Sequence, residues 1–220
     1  MYNPFKDHAP YKDPWPEPDL EPGQTHGALY YMHALGVGVA NFNSAETMFK
    51  HVVGRVAGVP SKMIGALLTE AGSRTLSDAL RACAYAKSSD NGYTETCKFV
   101  ATLFDHNREN RNFIVHNMQP LNNLSVALPN EPIGARARHE KAKSKHRVRL
   151  YPISLDLLRQ QADNFFDMRT YFMCVQGPLA SYFDGGREKL PPRPPLPDKL
   201  LSSLLPYRST DPEERTQEDQ

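Results

Sequence analysis

Apolar residues recur every three to four positions between about residues 25 and 57, and that period predicts a long amphipathic helix. Leu29, Met32, Leu35, Val39, Phe42, Phe49, Val52 and Val56 carry the stripe. Gly36 and Gly38 weaken its first half, each by about 1 kcal/mol relative to alanine, and either permit close helix approach or mark a break. Gly58 is placed to end the helix, and Pro60 suits the first turn of the next, a short one over Ser61–Ala71. A third helix is predicted over Arg74–Lys87, with Leu76, Leu80, Cys83 and Ala84 on one side. The Asp90-Asn91-Gly92 turn separates it from a fourth over Tyr93–Asn117.

Between Asn117 and Pro152 the helical period disappears. Pro120, Pro129, Pro132 and Gly134 punctuate short segments, of which Leu124–Leu128 and Lys145–Leu150 are candidate strands of a small hairpin. Ser154 then caps a final helix running to about Phe183. A kink is expected at Gly177-Pro178 and a stop at Asp184-Gly185-Gly186. The expected fold is all-α: an up-and-down bundle of four to five helices, with an irregular or hairpin-like insert (residues 118–152) before the last one.

Both ends read differently. Residues 1–24 hold six prolines, are acidic and have almost no aliphatic residues; residues 185–220 hold seven prolines and finish in a polar run. Such segments lack the apolar surface that offsets chain entropy, so both are expected to be disordered tails around a bundle spanning residues 25–184. Within the second tail, Leu190–Pro197 is a polyproline-type stretch suited to docking on a partner, and Leu200–Leu205 suits a short packed helix.

Charge changes the picture only locally. The net charge is +1, so no global field draws the chain to nucleic acid or membrane. Three cysteines, Cys83, Cys97 and Cys174, are an odd number without close spacing, which implies neither a disulfide framework nor a thiolate metal site. All three fall in predicted helices, where free thiols are expected to be buried. No 18-residue apolar run or signal pattern is present, and a reducing, cytoplasmic setting without membrane contact is expected. His139 and His146 have no carboxylate or thiol cluster to complete a metal site, and no phosphate loop or nucleophile elbow appears, so neither metal nor cofactor is expected.

Two features carry candidate chemistry. On the fourth helix, Val100, Leu103, Phe104, Ile114, Val115 and Met118 share a face at 100° per residue, and Asn107 and Arg111 interrupt it. A guanidinium on a core-facing side is costly unless it is paired or opens to a cleft. Five residues on stands His116, in Arg111-Asn112-Phe113-Ile114-Val115-His116.

An arginine, a polar residue, a few further positions and a histidine near a helix end make the motif of the HEPN family of RNA-cleaving and RNA-associated proteins, which this segment resembles. The Phe42-Asn43-Ser44-Ala45-Glu46 stretch and the insert before a long closing helix are similar too, so the likeness covers about residues 25–184. The resemblance implies metal-independent RNA cleavage in a homodimeric cleft, in the setting of a toxin with an antitoxin or another protein partner. His116 would be the acid/base, Arg111 the phosphate stabiliser and Asn112 an orienting group, with Glu46 and Asn107 in support. Histidine titrates in the range that proton transfer needs, and arginine meets phosphate oxygens bidentately. Some toxin members carry a tyrosine two residues after the histidine as a target for nucleotidylation; Met118 stands there, so that scheme is not implied.

On an ideal helix Arg111 and His116 sit about 140° apart. They share a cleft only through a frayed helix end, a local distortion or a second subunit. Without the resemblance, Arg111 reads as a buried partner of Glu46 or Asp105, and His116 as a helix C-terminal residue favoured by the dipole. A non-catalytic RNA-binding or protein-interaction module then becomes the alternative function.

The second feature is basic. Arg136, Arg138, Lys141, Lys143, Lys145, Arg147 and Arg149 are opposed in sequence only by Glu140. From Lys141 onward the cations occupy every second residue, which in one extended strand places them on one face. They read either as a ribbon tracking RNA phosphates or as a solvated edge kept unpaired by its lysines.

Overall fold

A computed structural model describes residues 26–68, 71–87, 91–116, 118–120, 132–142, 145–183, 185–186 and 188–200. Within them the chain is an all-α bundle of five helices with a small sheet inserted before the last. The helices are α1 (His26–Ala57), α2 (Ser61–Leu68), α3 (Ser73–Lys87), α4 (Asn91–Val115) and α5 (Leu155–Phe183). The strands are β1 (Met118–Pro120), β2 (Pro132–Ala142) and β3 (Lys145–Ser154). The acidic tail of residues 1–24 and the Leu124–Leu128 candidate strand lie outside the described residues.

Local signals set the helix ends. Gly58 takes φ 80° and Gly185 φ 90°. At each, two reversed hydrogen bonds close the last turn: Gly58 N–H to Arg55 O (3.0 Å) with Val59 N–H to Gly54 O (2.8 Å), and Gly185 N–H to Tyr182 O (3.0 Å) with Gly186 N–H to Ser181 O (2.7 Å). A side chain at either position would be strained in this left-handed conformation, which glycine adopts freely. Ser154 Oγ accepts the Leu157 N–H at 3.1 Å and so caps α5. The helix α1 runs unbroken through Gly36 and Gly38, and α5 continues through Pro178. Tertiary packing outweighs these local penalties.

The longest helices, α1 and α5, pack along much of their length, while α3 pairs with α4. Two apolar clusters result. The larger is built on Phe42, Phe49, Phe104, Phe165 and Phe172, all buried; Phe49 and Phe104 stack at 4.0 Å with their planes 9° apart. The smaller holds Tyr31, Ala34, Phe113, Ile114, Ile153, Leu155, Leu158 and Leu200. Along α1, α4 and α5 a layer of buried polar residues separates the two in sequence: Asn41, Asn107, Asn110 and Gln161. Asn41 Nδ2 donates to Ala162 O at 3.1 Å, and Asn110 Nδ2 to Gln161 Oε1 at 3.1 Å.

Of the thiols, Cys97 is buried, Cys83 half-buried and Cys174 exposed, which corrects the expectation that all three are core residues. Cys174 lies on the solvent side of α5, where a small thiol is tolerated. Burial, with a smaller contribution from Cys83, pushes the Cys97 thiol from its ordinary 9.0 up to about 12. Burial likewise pushes the Tyr171 hydroxyl from 10.0 up to about 12; Arg193 opposes that rise and Cys97 adds to it. Both groups hold their protons more tightly folded than unfolded. Their contribution to stability is therefore whole below the unfolded values and is lost as pH rises towards about 12. The urea midpoint is expected to be level near neutrality and to fall above about pH 9, with a shallower fall in Cys97→Ala. A midpoint unchanged into strong alkali would contradict this.

The sheet has the order β1-β2-β3, antiparallel throughout. Lys145–Leu150 is a strand, as expected, but its partner is β2, drawn from the first half of the basic segment. Arg138 stands opposite Arg149, Glu140 opposite Arg147, Arg136 opposite Tyr151 and Ala142 opposite Lys145. Directly opposed residues share a face. One face of the hairpin thus collects Arg136, Arg138, Glu140, Lys145, Arg147 and Arg149. Lys141, opposite His146, belongs to the other face. The expected single run of lysines and arginines is corrected here, because the chain reverses between Ala142 and Lys145; Lys143 lies outside the described residues.

The Pro-rich segment after α5 also departs from expectation. Residues 188–200 lie against the bundle as an extended strap. Tyr93 Oη donates to Glu188 O (2.8 Å), and Arg193 reaches Thr96 Oγ1 (3.2 Å) with its guanidinium 5.6 Å from the Phe99 ring centroid. Leu200 is buried in the smaller cluster. Proline fixes φ in advance, so ordering this segment costs less entropy than ordering an ordinary chain. The polyproline stretch is therefore docked in cis. Beyond Leu200 the Leu-rich run lies outside the described residues.

Candidate functional site

The last turn of α4 carries the Arg-His pair. Val115 is the final helical residue, and His116 keeps one helical bond, its N–H donating to Asn112 O at 3.2 Å. The chain then bends towards β1. This bend brings the two side chains together within one subunit: Arg111 Nη1 lies 3.4 Å from His116 Nε2. His116 stands at the frayed end of α4, one residue past Val115, where the 140° separation of an ideal helix no longer holds strictly. Arginine has only donors, so Nε2 is the acceptor in this long contact. His116 is exposed and Arg111 half-buried, so the pair faces solvent.

Arg111 has neutral neighbours. Nη1 donates to Asn112 Oδ1 at 3.2 Å, and Cζ stands 5.8 Å from the centroid of Phe42. Its Nε is buried without a hydrogen-bond partner. A small cavity of about 10 Å³ lies beside it, lined by Gly38, Val39, Ile114, Leu158 and Gln161 among others. Neither carboxylate considered as its partner takes that role. Glu46 accepts from Ser73 Oγ at 2.5 Å, tying α1 to the start of α3. Asp105 is held by Arg81 (2.7 Å), Arg108 (3.3 Å) and Ser77 Oγ (2.9 Å). Among the described residues no ion pair forms with Arg111, so none of their carboxylates neutralises its charge.

The other expected site residues divide. Asn112 is in place beside Arg111. Asn107 is buried, its Nδ2 bonded to Leu103 O at 2.9 Å and its Oδ1 unpartnered, so it belongs to the polar layer of the core. Glu46 is engaged with Ser73 instead of the pair. Met118, two residues beyond His116, is the first residue of β1 and the register partner of Arg136.

Asn110 was missed. Its Nδ2 donates to Asp198 O at 2.8 Å as well as to Gln161, and its Oδ1 accepts the Leu200 N–H at 2.9 Å, anchoring the strap directly beside Arg111. His106 Nδ1 reaches Pro197 O at 3.3 Å and Lys199 pairs with Glu109 at 2.9 Å on the same helix. The available signal was the density of amides in Asn107-Arg108-Glu109-Asn110-Arg111-Asn112. Asn110→Ala strands two backbone groups and Gln161, and is expected to lower stability by about 1–3 kcal/mol. It should also expose residues 188–200 to limited proteolysis; cleavage at the wild-type rate would show that Asn110 does not hold the strap.

No helix among the described residues is long and apolar enough to cross a membrane, and no group of three His, Cys, Asp or Glu residues gathers there as a metal site. Neither a protein-family model, nor a curated protein sequence, nor a solved structure matches this chain.

Proposed function

We propose that Arg111 and His116 form a phosphate-handling acid–base site for metal-independent cleavage of RNA. The observation that carries this reading is a solvent-facing guanidinium with no carboxylate partner among the described residues, set 3.4 Å from an exposed imidazole. An uncompensated half-buried cation favours an anion in its vicinity, and a phosphodiester is the anion whose transfer also requires a base.

In the proposed reaction His116 takes the proton from a ribose 2′-hydroxyl. The 2′-oxygen bonds to phosphorus, the bond from phosphorus to the 5′-oxygen breaks, and that leaving oxygen takes a proton from water. The products are a 2′,3′-cyclic phosphate and a 5′-hydroxyl. Arg111 stabilises the charge on the non-bridging oxygens, and Asn112 holds its guanidinium through Nη1. The pair meets inside one subunit, so a homodimer would double the site; it is not needed to assemble it.

Purified full-length protein should cut RNA in the presence of a chelator and leave cyclic phosphate ends. Loss of cutting in both Arg111→Ala and His116→Ala supports the reading. No cutting by the wild type, or cutting that survives both substitutions, overturns it in favour of a non-catalytic module.

A further inference from the structure

We propose that the arginine-rich face of the β2–β3 hairpin binds the sugar-phosphate backbone of RNA and leads the strand towards His116. The choice of RNA over another polyanion and the last clause rest on the cleavage reading; binding of a phosphate backbone by the hairpin stands without it.

The register carries the proposal. Five cations, Arg136, Arg138, Lys145, Arg147 and Arg149, share one face with a single carboxylate, Glu140. Glu140 stands opposite Arg147, while Arg138 stands opposite Arg149. Like charges directly opposed destabilise a strand pair, so this pairing works against the hairpin unless an anion lies over it. Such a conflict between local stability and sequence is expected at functional positions.

Edge protection explains the face less well. A lysine placed anywhere along an edge would discourage strand pairing, yet four of the five cations are arginines, whose planar fork suits phosphate oxygens. Cations two residues apart on a strand are spaced by about 6.6 Å, commensurate with successive phosphates of an extended polynucleotide.

Position favours RNA over another polyanion. Arg136, at one end of the face, is the register partner of Met118, two residues beyond His116. The row of cations therefore begins next to the proposed chemical site and runs away from it along the hairpin.

The test measures binding separately from cutting. Full-length protein is titrated into a labelled 2′-O-methyl oligouridylate, which has no 2′-hydroxyl to attack. At ~0.7 per phosphate, engagement of five phosphates gives a slope of about −3.5 in log K against log salt, or roughly a hundredfold loss between 50 and 200 mM salt. Arg138→Gln combined with Arg149→Gln should weaken binding and make that slope shallower by about 1.4, two phosphates' worth. Lys141→Gln, on the other face, should leave it unchanged.

Removing the opposed pair should not lower the melting temperature; if the double variant fails to fold, Arg136→Gln carries the same test with a shift of about 0.7. No binding by the wild type, an unaltered slope in the arginine variants, or an equal loss in Lys141→Gln overturns the proposal. So does capture by phosphatidylserine vesicles without RNA binding. Binding that behaves as expected while unmodified RNA stays intact upholds this surface and removes the nuclease reading alone.

Discussion

His116→Ala is expected to slow RNA cleavage by about 10²–10⁴-fold, the contribution typical of one positioned acid–base group. The imidazole is exposed and among the described residues its one hydrogen bond is the long one to Arg111, so its removal should leave the melting temperature within experimental error. That separation makes the variant informative: activity falls while the fold stays. Arg111→Ala is expected to lose about 10²–10³-fold through the transition-state charge it no longer meets. It also removes a half-buried group packed over Phe42, so its melting must be measured beside its rate. Arg111→Lys should recover little, since a point charge does not reproduce the two parallel donors or the contact with Asn112 Oδ1. In the proposed reaction the two residues act on one phosphate, so the double variant should be scarcely slower than the worse single one. Additive losses would argue that the two side chains serve separate sites.

Phe104→Ala should produce the largest loss of stability. Phe104 is fully buried, stacks on Phe49 at 4.0 Å, and also meets Phe42 at 5.8 Å and Phe172 at 6.4 Å between ring centroids. It joins α1, α4 and α5 in one contact. Truncating a buried phenylalanine costs about 3–5 kcal/mol, from lost transfer energy and from the cavity its neighbours cannot close. In a domain of this size each kcal/mol lowers the melting temperature by roughly 2–4 °C. Phe104→Leu should lose much less, since it keeps most of the apolar contact. Met32→Ala, at a position 60 % exposed, should stay within about 0.5 kcal/mol of wild type. If Phe104→Ala melted with Met32→Ala, α4 would not be packed as described.

The contrast between Met32 and Phe104 shows how far periodicity reaches. Both fit an apolar stripe, but only the second is enclosed. A three-to-four spacing says which residues share a side of a helix; how much of that side is covered depends on the neighbour's length and crossing. The site divides in the same way. Arg111 stood out because a guanidinium interrupts an apolar face, and Asn107 stood out with it, yet one borders solvent and the other is sealed in the core. Glu46 and Asp105 were equally good partners for Arg111 on paper. Their commitment to Ser73 and to Arg81 and Arg108 depends on how α3 approaches α1 and α4, and nothing within a helix's own sequence encodes that approach.

What this sequence determines alone is local: the helical period, the left-handed glycines at positions 58 and 185, the serine cap at 154 and the strand at 145. Each depends on torsional and hydrogen-bonding preferences within a few residues. Three matters were decided only by the tertiary structure. The chain reversal after Ala142 exchanged Lys141 for Arg136 and Arg138 on the basic face. The bend after Val115 brought the imidazole to the guanidinium. The groove beside α4 held a Pro-rich strap whose composition reads as a free tail. In each case the outcome turns on contacts between residues distant in sequence, where burial and amide hydrogen bonds outweigh the preference of the segment by itself.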